Sequence, residues 1–235
     1  MKSLLISECP SCILMNSIID GSLQRILPEV HNLINVPQNI EFHPECNSLV
    51  HTVLSVQYAA NKKYSPIVRL GALLHDIGKY ITYSERENLH GHEEASGILV
   101  DRIFTRESSV DWIISELPIG YDLRYVRKFC KYIALRHLVI VNYENLSVKK
   151  IVKEISHIHN IFGVKSLEAI SCFVDVADSD KNGRLQNSYN KDPALYFWST
   201  AYNNLEKIGF QELNSQEYHR LRLQIIHDLV NSIKV

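Results

Sequence analysis

The sequence predicts an all-α protein, and three observations carry that expectation. Apolar residues recur at three- and four-residue steps through most of the 235 residues. Prolines and small polar residues stand where such runs begin, as in Ser65-Pro66 and Asp192-Pro193, where they serve as N-cap and first helical position. No stretch holds the apolar–polar alternation of a half-buried strand.

Composition bounds the rest. Hydrophobic residues make up 46% and charged residues 22%, ordinary for a globular protein with a real core. A net charge of -1 excludes a broad, sequence-independent grip on a polyanion, which needs a basic face. Leu4-Leu5-Ile6 is too short for a signal segment, and no apolar run is long enough to span a bilayer. The expectation is a cytoplasmic protein with no membrane partner. Five cysteines, an odd number, fit a reducing compartment better than a disulfide framework. Cys9-Pro10-Ser11-Cys12 resembles half a zinc site, but no second close pair exists.

Residues 1–40 read as short helical pieces with turns at Asp20-Gly21, Pro28 and Pro37, a collar packed on one structural unit spanning 41–235. Pro44 is expected to start the next helix, with Leu49, Val50, Val53, Leu54 and Val56 apolar and His51 among them. Ser65-Pro66 opens a second helix on Ile67, Leu70, Leu73 and Leu74, with Gly78 as the left-handed residue past its end. His75 and Asp76 then sit in its last turn, where unsatisfied carbonyls favour a cation. Lys79, just beyond, is placed to meet an anion.

A polar loop is expected over 80–89. His92 begins the inward face of the next helix, with Ala95, Leu99, Arg102 and Ile103 in register. Ser108 and Asp111 read as a capping box for a short helix ending before Pro118. From about Asp122 a helix carries Val126, Cys130, Ile133 and His137 along one stripe. Helices come next over 147–162 and from Ser166 to about Asp178, the latter with Asp175 and Asp178 one turn apart. Asp192-Pro193 caps a helix through Leu205, and Ser215 starts the last.

Five helices thus each turn a histidine or carboxylate inward: His51, His75 with Asp76, His92, His137 and Asp175. Burying that many ionisable groups costs several kcal/mol unless something pairs them. A divalent cation does so, and mixed imidazole–carboxylate donors suit manganese, iron, cobalt, nickel or zinc, with magnesium a further option. Asp76, adjacent to another donor, is the natural bridge between two ions, the arrangement that activates water for phosphate ester hydrolysis. For each histidine alone, a core imidazole satisfied by one hydrogen bond is the plainer reading.

The order His51, His75-Asp76, Asp175 resembles the HD superfamily of metal-dependent phosphohydrolases, a helical-bundle fold. His92 and His137 match the additional histidines of its two-metal members. Phe42-His43-Pro44-Glu45, Val50-His51-Thr52, Ala72-Leu73-Leu74-His75-Asp76-Ile77-Gly78-Lys79, His90-Gly91-His92-Glu93 and Arg136-His137-Leu138 are similar to the HD domain of bacterial CCA-adding tRNA nucleotidyltransferases.

Two departures bear on what this implies. No Gly-Ser pair with paired carboxylates lies upstream, so the nucleotidyltransferase head is absent and CCA addition is not expected. The last motif is stretched: Cys172-Phe173-Val174-Asp175 aligns with the family's Cys-x-x-Asp, while Ala177-Asp178 and Gly183-Arg184 resemble the family's next Ala-Asp and Gly-Arg, with extra residues between. Asp175 is expected as the ligand and Asp178 is the alternative.

The resemblance implies nucleotidase, phosphatase and 2',3'-cyclic phosphodiesterase activities, with Asp76 and Lys79 in the chemistry and Lys79, Arg184 and Asp178 near the substrate phosphate. Small nucleotides are the expected substrates, with RNA ends as a second class. A free-standing 5'-deoxynucleotidase and a non-catalytic nucleotide sensor are the alternatives. Oligomeric state is left open.

Overall fold

The computed structural model describes residues 1, 3–185, 191–209 and 216–233. It is helical throughout: α1 Pro10–Ile19, α2 Ser22–Ile26, α3 Pro28–His31, α4 Ser48–Asn61, α5 Pro66–Leu74, α6 Lys79–Arg86, α7 His92–Ile103, α8 Glu107–Glu116, α9 Leu123–Val141, α10 Val148–Phe162, α11 Ser166–Asn182, α12 Lys191–Lys207 and α13 Gln216–Ile233. Among the described residues no strand forms, and the single β-type pairing is an isolated bridge between Pro37 and Asn47. The expected start of the last helix at Ser215 lies outside the described residues.

The chain divides into two compact units, Met1–His137 with Asp175–Tyr189, and Leu138–Val174 with Asn190–Val235. This differs from a collar over 1–40 on one unit over 41–235, because the divisions fall within α9 and α11 rather than before α4. Residues 1–40 belong wholly to the first unit. There the Glu116 carboxylate of α8 accepts the Leu5 amide at 2.9 Å, and Arg106 pairs with Glu29 of α3. In the second unit, α10 and α12 pack on α13 around Ile151, Ile155, Trp198, Tyr202, Leu205 and Ile226. The Trp198 indole donates to the Ile140 carbonyl at 3.2 Å, satisfying a polar atom that burial would otherwise orphan.

In the first unit, α4 packs on α5 and on α1, and α6 on α7. Helix α4 does not start at Pro44. Asn47 caps it, its side-chain oxygen accepting the Leu49 and Val50 amides at 2.9 and 3.2 Å. Residues 38–46 form a loop instead, closed by the Pro37–Asn47 bridge and by the Gln38 amide bonding to the Cys46 carbonyl at 2.9 Å. The expected polar loop over 80–89 is largely α6, whose inward side carries Lys79 and Thr82 rather than large apolar residues. Helix α8 begins one residue before the expected capping box, after Arg106 and with no side-chain cap.

Two glycines set how closely these helices meet. Gly78 is right-handed, at φ -72°, and not the left-handed residue expected. It is needed for contact: a Cβ there would lie 2.3 Å from the His92 carbonyl and 2.4 Å from the Ser96 amide of α7. Gly183, after α11, plays the same part against α4, where a Cβ would lie 2.6 Å from Ser55 Cα. Helix α11 runs a turn past the expected end at Asp178, so residue 180 remains helical.

Cys9 and Cys12 are joined by a disulfide, which takes both out of the zinc role considered for them. Three residues apart at the start of α1, their Cα atoms are 5.5 Å apart, within disulfide reach.

Candidate metal centre

The elements of the first unit bring six donor side chains to one buried point. Helix α4 supplies His51, the corner after α5 supplies His75 and Asp76, the start of α7 supplies His92, α9 supplies His137 and α11 supplies Asp180. All six are buried.

Asp76 is at the middle, and its two oxygens serve different neighbours. Oδ2 lies 3.1 Å from His75 Nε2, 3.9 Å from His51 Nε2 and 2.6 Å from the Lys79 ammonium. Oδ1 lies 3.1 Å from His92 Nε2 and 3.5 Å from His137 Nε2. Asp180 Oδ1 closes the first side, 3.1 Å from His51 Nε2 and 3.8 Å from His75 Nε2. One carboxylate therefore stands between a His51–His75–Asp180 set and a His92–His137 set.

Each imidazole is aimed by its other nitrogen. His75 Nδ1 donates to the Ala72 carbonyl at 2.8 Å, His92 Nδ1 to the Leu89 carbonyl at 2.8 Å and His137 Nδ1 to the Ile133 carbonyl at 3.2 Å. His51 Nδ1 donates to Glu45 Oε1 at 2.8 Å. With the proton on Nδ1, every Nε2 presents a lone pair inward.

That arrangement sets acceptors against acceptors. Nε2 of His51, His75 and His92, and Oδ1 of Asp76, are buried without an aligned hydrogen bond among the described residues, despite their short separations. Unpaired buried acceptors cost free energy unless a cation or proton lies between them. The donor set, neutral imidazole with carboxylate oxygen, fits a divalent transition ion. Ligand atoms of His51, His75 and Asp76 lie within 4.8 Å of one another, as do those of Asp76, His92 and His137, and of His43, Glu45 and His51.

The electrostatics agree. Burial alone would raise the Asp76 and Asp180 carboxyls, but His75 and Lys79 beside Asp76, and His51 and His75 beside Asp180, hold both well below the usual carboxylate range. Burial works to lower His51 and His92, yet the facing Asp180 and Glu45 raise His51, and Asp76 raises His92. His137 is lowered to about 4, chiefly by burial.

The structure gathers His51, His75, Asp76, His92, His137 and Lys79 as their spacing suggests, and corrects the last carboxylate. Asp178 is spent elsewhere, accepting the Tyr64 hydroxyl at 2.6 Å and the Asn182 amide at 2.8 Å. Asp175 is outside these groups and near Tyr64. Five residues along a helix turn a side chain by roughly 140°, so Asp175 and Asp180 cannot share a face. Arg184 is also committed otherwise: its guanidinium donates to Asp180 Oδ1 at 3.1 Å and to the Phe42 carbonyl at 3.1 Å, a strut rather than an open anion site.

Sequence reasoning missed Asp180 and the role of Glu45. The signal for Asp180 was available: it precedes Arg184 by four residues and shares a helical face with the buried Val176 and Ala177. Lys181, half-buried within the field of Asp180, Asp76 and Lys79, was also passed over.

This constellation is a buried, histidine-rich donor set on a helical bundle that could hold a metal ion. Residues 49–179 match the HD domain, and the chain belongs to that family of metal-dependent phosphohydrolases. The match stops one residue short of Asp180, whose place rests on geometry. The chain is also 47% identical over 87 residues to a multifunctional CCA protein of Janthinobacterium sp. (strain Marseille), covering 37% of this chain and 21% of that protein. It is 48% identical over 77 residues to the multifunctional CCA protein of Burkholderia multivorans, covering 32% of this chain and 19% of that protein. The matched stretch thus spans about a fifth of these curated relatives. No solved structure matches the chain. No helix among the described residues is long and apolar enough to cross a membrane.

Proposed function

We propose that this protein hydrolyses phosphate esters of small nucleotides, with His51, His75, Asp76 and Asp180 holding one divalent ion and Asp76, His92 and His137 a second. The observation that carries the reading is the division of the two Asp76 oxygens between two sets of imidazoles. A divalent ion bound there supplies Lewis acidity and lowers the pKa of water, the requirement for attack on phosphorus.

The chain's own residues supply the rest. The Lys79 ammonium, 2.6 Å from Asp76 Oδ2, balances negative charge that develops on a phosphoryl group beside that carboxylate. Lys181 adds a second cation near Asp180 and Asp76, and burial lowers its pKa. The outward Nδ1 bonds keep the four imidazoles from turning as substrate arrives. The near-zero net charge supports a small substrate over a long polyanion. Nucleotides are favoured among phosphate esters by the similarity to multifunctional CCA proteins. Monoester and 2',3'-cyclic ester cleavage both follow from the same donors. RNA ends are the second substrate class.

The test is a phosphate-release screen of ribo- and deoxyribonucleoside monophosphates and of cyclic nucleotides, the latter with added phosphatase, against each divalent metal. Turnover with a transition metal and its loss with chelator are expected. Nucleotide binding with no turnover in any metal would replace this reading with a non-catalytic sensor.

A further inference from the structure

The loop over 38–46 is more than a connection into α4. It is bonded to itself: the His43 amide donates to the Asn39 carbonyl at 2.8 Å, the Cys46 amide to the His43 carbonyl at 2.8 Å, and the Glu41 amide to the Asn39 side chain at 2.8 Å. Bonds of this kind hold the loop backbone in one arrangement. Its inward residue is Glu45, which aims His51. Among its outward residues Phe42 is the aromatic one, 66% exposed.

Phe42 is bound to the metal centre through a short path. Its carbonyl accepts Arg184 at 3.1 Å, and the same guanidinium holds Asp180 Oδ1 at 3.1 Å, which in turn lies 3.1 Å from His51 Nε2. One guanidinium thus spans from the Phe42 backbone to a donor carboxylate. Around this path the exposed apolar residues continue, with Ile40 on the loop 66% exposed and Leu185 after Arg184 63% exposed. An exposed aromatic residue whose backbone is tied to a charged centre is suited to a flat, apolar-faced group joined by a short link to an anion.

We propose that Phe42 is the base-stacking residue of this site: a nucleobase lies on its ring while the phosphate reaches Asp76 and Lys79, and Arg184 is the positioning residue that holds the platform to Asp180. The inference rests on the nucleotide reading above and adds where the base is bound. The base contributes through its π face, so all four bases are accepted, with purines ahead because they cover more of the ring.

The experiment compares adenosine 5'-monophosphate with ribose 5-phosphate, which keeps sugar and phosphate and lacks the base, on wild type, Phe42→Ala and Phe42→Trp. Loss of one base–aromatic stack reduces affinity about 5- to 100-fold. Phe42→Ala should raise KM for the nucleotide by that factor with kcat little changed, leave ribose 5-phosphate within about twofold, and be rescued by Phe42→Trp. The nucleotide should also quench the added fluorescence of Phe42→Trp, a readout independent of turnover, while ribose 5-phosphate should not. Equal effects of Phe42→Ala on both compounds, or on neither, would overturn the platform and leave hydrolysis standing. Quenching by the nucleotide without hydrolysis of either compound in any metal would keep the platform and remove the hydrolase reading. Neither quenching nor turnover would remove both.

Discussion

Glu45 Oε1 lies 2.8 Å from His51 Nδ1 and 3.0 Å from His43 Nδ1, so one buried carboxylate oxygen fixes two imidazoles at once. Burial tends to raise the Glu45 carboxyl, but the bonds from His51, from the backbone and from His43 together outweigh it and bring it to about 2. It is therefore charged at neutral pH, and it strengthens His51 as a donor. Glu45→Gln should weaken binding of the first divalent ion by about 10- to 100-fold with the helical content unchanged. Competition against a coloured chelator measures it, and an unchanged affinity would make Glu45 a loop-packing residue only.

The three aspartates of α11 separate cleanly. Asp180→Ala should remove hydrolysis and lower bound metal, while Asp175→Ala should leave both within about threefold. Asp178→Asn should cost about 1 kcal/mol of stability through its bond to Tyr64, without loss of metal. Elemental analysis beside a denaturation curve for each variant checks the set. Metal loss in Asp175→Ala with none in Asp180→Ala would reverse the assignment.

Asp76→Ala should abolish hydrolysis, because both donor sets lose their shared member. His92→Ala and His137→Ala should each reduce the bound stoichiometry to the ion held by His51, His75 and Asp180. Unchanged stoichiometry in both variants would leave a single-ion centre.

The pH dependence has a definite sign. His51 and His92 have pKa values raised above 6.5, so each already takes up protons above pH 6.5 in the protein freed of metal. A cation at Nε2 must displace those protons, so metal affinity already falls above pH 6.5 and falls further as the pH drops through it, by up to about tenfold per unit for each protonated imidazole. Chelator competition at a series of pH values should show that slope. Affinity that stays flat down to about pH 5 would mean that these Nε2 atoms do not bind the ion.

Gly183→Ala tests the helix contact beneath the site. A Cβ 2.6 Å from Ser55 Cα forces α11 from α4, at a cost of about 1–3 kcal/mol, and takes Asp180 away from His51. Loss of stability and of metal together is expected in urea titrations and elemental analysis. Loss of stability alone would show that Asp180 follows His51 through the shift.

Much of this site is legible in the sequence for a simple reason. His51 and His137 interrupt apolar helical stripes, His75 and Asp76 follow the end of one and His92 opens another, and the stripes' period gives their direction. Asp180 escapes because α11 carries aspartates at 175, 178 and 180, and a motif of fixed spacing does not say which one faces α4. The face that Asp180 shares with Val176, Ala177 and Arg184 is what distinguishes it. Helix α6 escapes for the opposite reason: its inward side is Lys79 and Thr82, so hydrophobic period has little to detect. The start of α4 at Ser48 is set by the Asn47 side chain, and Pro44 draws attention four residues too early. The disulfide between Cys9 and Cys12 depends on a through-space approach that cysteine parity does not reveal.

His75, His92 and His137 take their aim from carbonyls three or four residues earlier in the chain, whereas His51 takes its aim from Glu45 in a separate loop. The first three orientations are local and travel with a few consecutive residues wherever their backbone is reproduced. They are portable, tolerant of drift in the surrounding core, and suited to transplantation into an unrelated helical scaffold. The fourth is not. A lineage that reshaped the 38–46 loop would re-aim one imidazole and alter the Phe42 face in a single stroke, so the first ion's grip and the face beside it would evolve as one heritable trait.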